Sequence, residues 1–294
     1  MALSVTAVLP AYNEEGAVAK VAAAVKAALA GAGLEAYEVL VVDDGSSDGT
    51  AAAAEAAGAR VVRHPVNSGY GRALLTGASE AKHPWLLYLD ADGSYRAEDA
   101  VRLLADAPAC DMVVGARQGS LFWGNPGKAF LRFLQLKLSA FVAGMPIPDT
   151  NSGLRLVRKA ALEHNLPVRC YGFSLSTTMT LSFIQQRLFV KFVPVAYDPR
   201  KGKSKVKLLR DSLRTLQLML EIILFFNPLK FAVTVAGLLL LLAAALAASS
   251  SCSGSALQAL SAVLAAFAAL PVLIAGCVLD ALRLHGQADR HWKI

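Results

Sequence analysis

Trp85-Leu86-Leu87-Tyr88-Leu89-Asp90-Ala91-Asp92-Gly93-Ser94 joins an unbroken apolar run to two carboxylates and a glycine. Five consecutive apolar residues read as a strand buried on both faces, the habit of parallel sheets covered by helices. The same pattern recurs outward along the chain. SVTAVL precedes a helical stretch over 14–30, EVLVVD one over 48–57, RVVRH one over 69–81, the quoted strand one over 97–107, and DMVVGA follows. This alternation predicts an α/β domain with a mostly parallel sheet and helices on both faces. Its ligands should bind at the carboxyl ends of the strands.

The 294 residues are 55% hydrophobic and 17% charged, with a mean hydropathy of +0.46. That excludes a disordered chain and is too apolar for an ordinary soluble enzyme. Cys110, Cys170, Cys252 and Cys277 are far apart with no CxxC spacing, so neither a disulfide framework nor a zinc site is expected. The five histidines, His64 among them, are scattered and read as surface or packing residues. The net charge of +7 is local: residues 1–199 hold 18 basic and 18 acidic residues, whereas 200–230 hold eight Lys/Arg against Asp211 and Glu221. A short basic segment before an apolar tail points to lipid headgroups or substrate phosphates rather than nucleic acid.

No charge occurs from Phe231 to Ala248 or from Ser249 to Leu279, and a polar break covers Ser249–Ser255. Two membrane helices are expected over 228–248 and 256–279, each reaching the roughly 20 residues that a hydrocarbon core demands. They follow a domain over 1–205 and an amphipathic juxtamembrane helix over 206–227, and a tail over 280–294 ends the chain. Lys230, Arg283, Arg290 and Lys293 flank the spans, so the positive-inside rule predicts a hairpin in the cytoplasmic membrane with both ends cytoplasmic. The start, MALSVTAVLPAYNEE, has no basic n-region and turns polar after ten residues, unlike a signal peptide. A helix over 128–143 mixes Phe130, Phe133, Leu134 and Phe141 with Lys128, Arg132 and Lys137. It reads either as a membrane-interface helix or as a core helix with a solvated basic face.

Three strand ends carry the chemistry. In an extended backbone residues two apart point the same way, so Asp90 and Asp92 can face one divalent cation, Mg²⁺ or Mn²⁺, able to bridge a diphosphate; a simple turn is the competing reading. VVDDGSSDGT offers Asp43 and Asp44 as acceptors for a nucleobase N–H or ribose hydroxyls, with Asp48 or Ser47 as a helix cap. PAYNEE places Pro10, Tyr12 and Glu14 at the first strand end, where Tyr12 can cover a base and Glu14 bind a ribose. The alternative is a cap at Asn13.

Together with HPVNSGYGRA over 64–73, these strand ends resemble the nucleotide-binding half of the GT-A glycosyltransferases of inverting family two. Gly115-Ala116-Arg117, Asp149-Thr-Asn-Ser-Gly-Leu-Arg155-Leu and the segment from Val193 to Lys205 are similar to its polyprenyl-phosphate branch, which includes dolichyl-phosphate mannose and glucose synthases. The resemblance spans about 4–207 and implies a Rossmann-like GT-A fold followed by a transmembrane hairpin. It also implies that Pro10, Tyr12, Glu14, Asp43 and Asp44 bind the nucleoside, and that Asp90 and Asp92 hold metal and diphosphate. Arg117, with Arg132, would grip the acceptor phosphate, and Arg200, Ser204 and Lys205 would lie on a loop over the donor. Asp92, Arg117, Arg200 and Lys205 form the implied catalytic set, with Asp149 a candidate for holding sugar hydroxyls. Ser94 replaces a Gln that often ligates metal in relatives, and Ser174 and Thr178 stand where relatives often carry Glu.

The expected reaction moves a hexose from a GDP-mannose- or UDP-glucose-type donor to a polyprenyl or dolichyl phosphate, with inversion. A phosphate whose second pKa is near ~6 is largely dianionic at neutral pH, so no general base is assigned. The expected partners are the donor, the lipid acceptor and the membrane, with homo-oligomerisation open. A polysaccharide synthase is a rival reading, but Gln185-Gln-Arg187-Leu lacks the QxxRW motif of that class. An idle scaffold, motivated by Ser94, Ser174 and Thr178, is opposed by the intact Asp90/Asp92 pair.

Overall fold

The computed structural model describes residues 3–119, 123, 126–166, 175–198 and 208–291. The chain divides into two compact units between Leu218 and Met219. The first is built on seven strands: β1 Ser4–Ala11, β2 Ala36–Asp43, β3 Arg60–Arg63, β4 Trp85–Tyr88, β5 Met112–Arg117, β6 Arg155–Arg158 and β7 Val190–Val195. Their order in the sheet is β3-β2-β1-β4-β6-β5-β7. β1 runs parallel to β2 and β4, β2 to β3, and β5 to β7, while β6 enters antiparallel between β4 and β5. The register pairs Ala11 with Asp43, so the first two strand-end motifs leave the sheet side by side.

Period-two alternation in β1 sends Val5, Ala7 and Leu9 to one face, against Val18, Ala22, Val25 and Leu29 of α1 (Glu15–Ala30). Val8 faces the other way with Leu40, Leu86 and Tyr88, under Ala73, Leu74 and Ala78 of α3 (Tyr70–Glu80). Both faces are therefore covered, as the apolar strands require. α2 is Thr50–Ala56. The helix expected over 97–107 is divided: α4 ends at Arg102 (Ala97–Arg102) and a 3-10 turn continues over Leu103–Ala109. Pro108 explains the break, because it has no N–H to donate and crowds the preceding turn. α5 (Pro126–Ala143), α6 (Lys159–Asn165) and α7 (Leu175–Gln185) complete the domain, and α8 (Leu208–Phe226) carries the chain across the boundary between the units.

Arg155, at the start of β6, is fully buried and makes no ion pair among the described residues. Its guanidinium instead donates to the carbonyls of Thr150, Ser152 and Ser176 and to Thr180 Oγ1, at 2.8–3.1 Å. One side chain thus ties the loop before β6 to the first turn of α7.

After the end of α8, the second unit is a helical hairpin, α9 (Pro228–Ser253) and α10 (Ala256–His291). Asn227 caps α9 by accepting from Lys230 N–H at 3.1 Å, with Pro228 in the first turn. Gly254, at φ 68°, closes it in the left-handed conformation. The seam consists of small residues: Ala232, Ala236 and Ala243 face inward on α9, and Ala262, Ala269 and Gly276 recur every seven residues on α10. A Cβ on Gly276 would lie 2.1 Å from that of Ala232. Leu238, Leu241, Leu257 and Phe267 point outward, the reverse of a soluble hairpin and the arrangement expected of helices packing within lipid. Both helices are long and apolar enough to cross a membrane.

The polar break expected over Ser249–Ser255 shrinks to Gly254 and Ser255, because the serines join α9. Ser251 and Ser253 donate back to the carbonyls four residues earlier, at 3.0 and 2.9 Å, and so satisfy their hydroxyls within the helix. α10 likewise continues beyond Leu279, with Asp280 and Arg283 paired one turn apart at 2.9 Å.

Replacing Arg155 by Met removes a buried charge but orphans several buried oxygens, each costing about 1–3 kcal/mol. The net expectation is a loss of about 2–4 kcal/mol, read as a lower urea midpoint of the detergent-solubilised protein. An unchanged midpoint would show that the loop is held by other contacts.

Candidate active site

The loops after β1 and β2 cap one another's helices. Asn13, at φ 50°, accepts from Ser47 N–H at 2.9 Å and donates its own N–H to Ser46 Oγ at 2.9 Å. Glu15 N–H reaches Asp48 Oδ2 at 3.3 Å, Gly49 N–H returns to Glu15 Oε2 at 3.1 Å, and Glu14 N–H donates to Thr50 Oγ1 at 2.8 Å. Burial opposes ionisation of Asp48, but hydrogen bonds from Thr50 and Glu15 hold its pKa below the ordinary carboxylate value. Asn13, Glu14, Glu15, Gly16, Ala17 and Asp48 line a cavity of about 460 Å³. Pro10 is buried at the end of β1, and Tyr12 and Glu14 are half-buried beside it.

Asp43 and Asp44 are both buried but differently engaged. Asp43 Oδ1 accepts from Ser46 N–H at 3.0 Å, and its second oxygen has no partner among the described residues. Asp44 accepts from the N–H groups of Ser68 and Gly69, each at 2.9 Å, and its Oδ1 lies 2.7 Å from His64 Nδ1. His64 Nε2 in turn meets Thr76 Oγ1 at 2.9 Å. Asp44 therefore anchors the segment leading into α3, and His64, read from the sequence as a surface or packing residue, links Asp44 to Thr76 by hydrogen bonds.

β4 ends at Tyr88, so Asp90 and Asp92 lie in a turn rather than on an extended strand. The one-face argument from strand geometry does not describe this loop. Asp90 accepts from Tyr70 Oη at 2.8 Å, and Asp92 Oδ1 accepts from Ser94 N–H at 3.0 Å. Burial, with Asp90's charge added, pushes the Tyr70 phenol well above its ordinary pKa and keeps it a neutral donor. Gly153 lies against Asp90, where a Cβ would come within 2.6 Å of a carboxylate oxygen, so any larger residue there would have to displace the Asp90 carboxylate. Ser94 Oγ is buried and has no partner among the described residues. Two carboxylates beside an orphaned hydroxyl form a hard oxygen donor set that fits Mg²⁺ or Mn²⁺. No three His, Cys, Asp or Glu side chains converge on a metal position among the described residues.

Arg117 and Asp149 form a two-pronged ion pair, Nε–Oδ2 at 2.7 Å and Nη2–Oδ1 at 3.0 Å, with side chains 12% and 2% exposed. The Tyr197 ring lies 5.3 Å from the guanidinium and edge-on to Tyr95, whose hydroxyl accepts from Gly153 N–H at 2.8 Å. Burial lowers the pKa of Arg132, and the charge of Arg117 lowers it further, so the two arginines share one neighbourhood. After β7, Asp198 N–H donates to Ser94 O at 3.1 Å and its carboxylate pairs with Arg96 at 2.8 and 2.9 Å.

The fold thus brings Asp90, Asp92, Arg117, Arg132 and Asp149 to one side of the sheet through the loop before β6. Arg200, Ser204, Lys205 and Ser174 lie outside the described residues, and Thr178 is wholly buried on α7. Sequence reasoning did not single out Tyr70, Tyr95, Gly153 or Arg155. Tyr70, Gly153 and Arg155 stand inside quoted motifs, but chain spacing does not reveal that they meet.

A sheet that is mostly parallel, with carboxylates at successive strand ends, defines an open α/β fold of the kind that binds ligands at the carboxyl ends of its strands. The chain belongs to glycosyl transferase family 2, whose model matches residues 6–166. It is 29% identical over 252 residues to the low-salt glycan biosynthesis hexosyltransferase Agl6 of Haloferax volcanii, covering 83% of this chain and 60% of that protein. It is 33% identical over 207 residues to an uncharacterized glycosyltransferase of Mycobacterium tuberculosis, covering 69% of this chain and 89% of that one. An undecaprenyl-phosphate 4-deoxy-4-formamido-L-arabinose transferase of Klebsiella pneumoniae is 31% identical over 217 residues, covering 70% and 63%. The match therefore spans less than two thirds of the Haloferax and Klebsiella proteins. Among solved structures, glucosyl-3-phosphoglycerate synthase from Mycobacterium tuberculosis, in complex with Mn²⁺, UDP and glucosyl-3-phosphoglycerate, aligns with a TM-score of 0.60. At 21% identity over 75% of this chain and 80% of that one, it establishes the GT-A fold alone.

Burial works against ionisation of Asp149, but Arg117 and its hydrogen bonds hold the carboxyl below its ordinary value. A depressed carboxyl stabilises the fold above its unfolded pKa, about 3.9, and that contribution is lost as pH falls through the folded value. The stability gap between wild type and Asp149→Asn should stay constant from about pH 5 to 8 and narrow only below about pH 4. Urea midpoints across that range check it; a gap that closes between pH 5 and 7 would contradict the pairing.

Proposed function

We propose that this glycosyltransferase moves a hexose from a nucleotide sugar, of GDP-mannose or UDP-glucose type, to the phosphate of a polyprenyl or dolichyl phosphate. The observation that carries the reading is a junction: the loop that abuts Asp90 through Gly153 also holds Arg117 through Asp149. A diphosphate side and an anion-binding side are thereby neighbours, as a transfer between two phosphorylated partners requires. The Klebsiella relative, an undecaprenyl-phosphate 4-deoxy-4-formamido-L-arabinose transferase, and a hairpin with lipid-compatible faces support the acceptor assignment.

In this reading Pro10, Tyr12, Glu14, Asp43 and Asp44 form the nucleoside site, with Asp44 acting by holding the segment before α3. Asp90 and Asp92, with Ser94 Oγ beside them, would hold a divalent cation, which when bound supplies positive charge to the leaving diphosphate. Arg117 is set in plane by Asp149. Arg132, disfavoured by burial and by Arg117's charge, gains most from an arriving dianion, and the two together receive the acceptor phosphate. Arg200, Ser204 and Lys205 are assigned to the donor phosphates. The acceptor oxygen arrives deprotonated, so the protein's task is alignment and charge shielding, and a single displacement inverts the anomeric centre.

The domain over 1–205 and the tail are assigned to the cytoplasmic side, with 206–227 at the juxtamembrane and spans beginning near 228 and 256. Exposed Phe130, Leu131, Phe133, Leu134 and Phe141 on α5 favour the membrane-interface reading of that helix over the core-helix alternative.

The test is a panel of UDP- and GDP-sugars with labelled hexose, scoring label that enters organic solvent when polyprenyl phosphate is added. Asp92→Ala is expected to lose most turnover while keeping its melting temperature, and excess EDTA should silence the wild type. Full activity in either case would reject the metal site, and no label in lipid from any donor would reject the acceptor.

A further inference from the structure

Asn151 is exposed two residues before Gly153, in the loop that joins Asp90 to the Arg117–Asp149 pair. Its backbone N–H donates to Asp149 Oδ1 at 3.0 Å, which fixes the residue's place beside that carboxylate. Its side-chain Oδ1 accepts from Thr177 Oγ1, a hydroxyl fully buried in the first turn of α7. The amide is thereby oriented: the oxygen faces the protein, and the N–H₂ end has no partner among the described residues. Arg155 holds both sides of this contact, since it binds the carbonyls of Thr150 and Ser152 on the loop and of Ser176 next to Thr177.

We propose that Asn151 binds the transferred sugar, its amide N–H₂ donating to a sugar hydroxyl, and that Thr177 is the positioning residue that turns the amide outward. The inference rests on the glycosyl-transfer reading above. A neutral carboxamide suits a neutral hydroxyl, whereas the phosphates on either side are matched by the arginines and the metal-side loop. Holding the amide oxygen inward also occupies the side chain's only acceptor atom, so the outward amide selects a group that can accept. No acidic residue is needed at buried Thr178 for this contact, so sugar recognition need not depend on the Glu that relatives often carry there.

The experiment measures steady-state transfer to undecaprenyl phosphate in detergent, with UDP-glucose and GDP-mannose as donors, and calorimetric binding of UDP, GDP, UDP-glucose and GDP-mannose with Mn²⁺. Variants are Asn151→Ala, Thr177→Val, Thr177→Ser and the Asn151→Ala/Thr177→Val double. For the donor that wild type uses, Asn151→Ala should lose about three- to ten-fold in kcat/KM, the worth of one neutral hydrogen bond. KM for undecaprenyl phosphate and the Kd of the nucleotide diphosphate should stay within about two-fold. Thr177→Val should reproduce the loss, Thr177→Ser should restore activity, and the double variant should be no worse than either single.

An Asn151→Ala enzyme with unchanged kcat/KM, or one whose defect lies in acceptor KM or nucleotide binding, overturns the sugar contact. Additive losses in the double variant overturn the positioning role of Thr177. Wild type that transfers from neither donor, while UDP-glucose or GDP-mannose binds more tightly than its diphosphate and Asn151→Ala removes that increment, overturns the transfer reading and leaves the contact standing. If no such increment exists, the contact falls as well.

Discussion

Arg155 brings a full positive charge into the interior of the sheet and meets no carboxylate there among the described residues. A buried guanidinium is tolerable only when its donors are satisfied, and here backbone carbonyls and one hydroxyl do so. The geometry that satisfies it also dictates the path of residues 150–152 and the position of α7's first turn. From that path follow the placement of Asp149 on Arg117, of Gly153 on Asp90 and of Asn151 on Thr177. The insertion of β6 antiparallel among parallel strands has the same consequence, because it returns the chain to the edge bearing Asp90 and Asp92 after the excursion through α5.

The two sides of the site are electrically distinct yet mechanically linked. Asp90 and Asp92 concentrate negative charge at one turn, and Arg117 and Arg132 concentrate positive charge beside it, with Asp149 moderating the second cluster. Tyr95 and Tyr197 fill the space between, the first receiving Gly153's amide and the second lying under Arg117. The segment after β7 is stitched to the same turn through Asp198 and Arg96. The hairpin of α9 and α10 follows a different rule, in which alanines and Gly276 make the seam and leucines face outward.

Where a single strand or helix carries the signal, the chain could be read directly. Apolar runs ending in VVDD and LDAD announced β2 and β4, and two uncharged stretches announced α9 and α10. What escaped depends on contacts distant in sequence or on local competition. β6 lies beyond an irregular stretch and its antiparallel insertion has no periodic mark. The serines at 249–253 resemble a turn until their hydroxyls are seen to bond within the helix. Asp43 and Asp44 look equivalent in sequence, and only the fold shows that Asp44 is engaged by Ser68, Gly69 and His64. Arg155, read along the chain, is one more arginine in a strand; its burial makes it an organiser.

The central claim is that one loop, held by Arg155, couples the diphosphate side of the site to the arginine side. Hydrogen–deuterium exchange on the full chain in detergent, with and without Mn²⁺ plus UDP or GDP, tests it most directly. Slowed exchange over 90–94 should be accompanied by slowed exchange over 149–155, although the second segment is not expected to touch the nucleotide. Protection confined to 90–94, with 149–155 exchanging as in the ligand-free protein, would contradict the account.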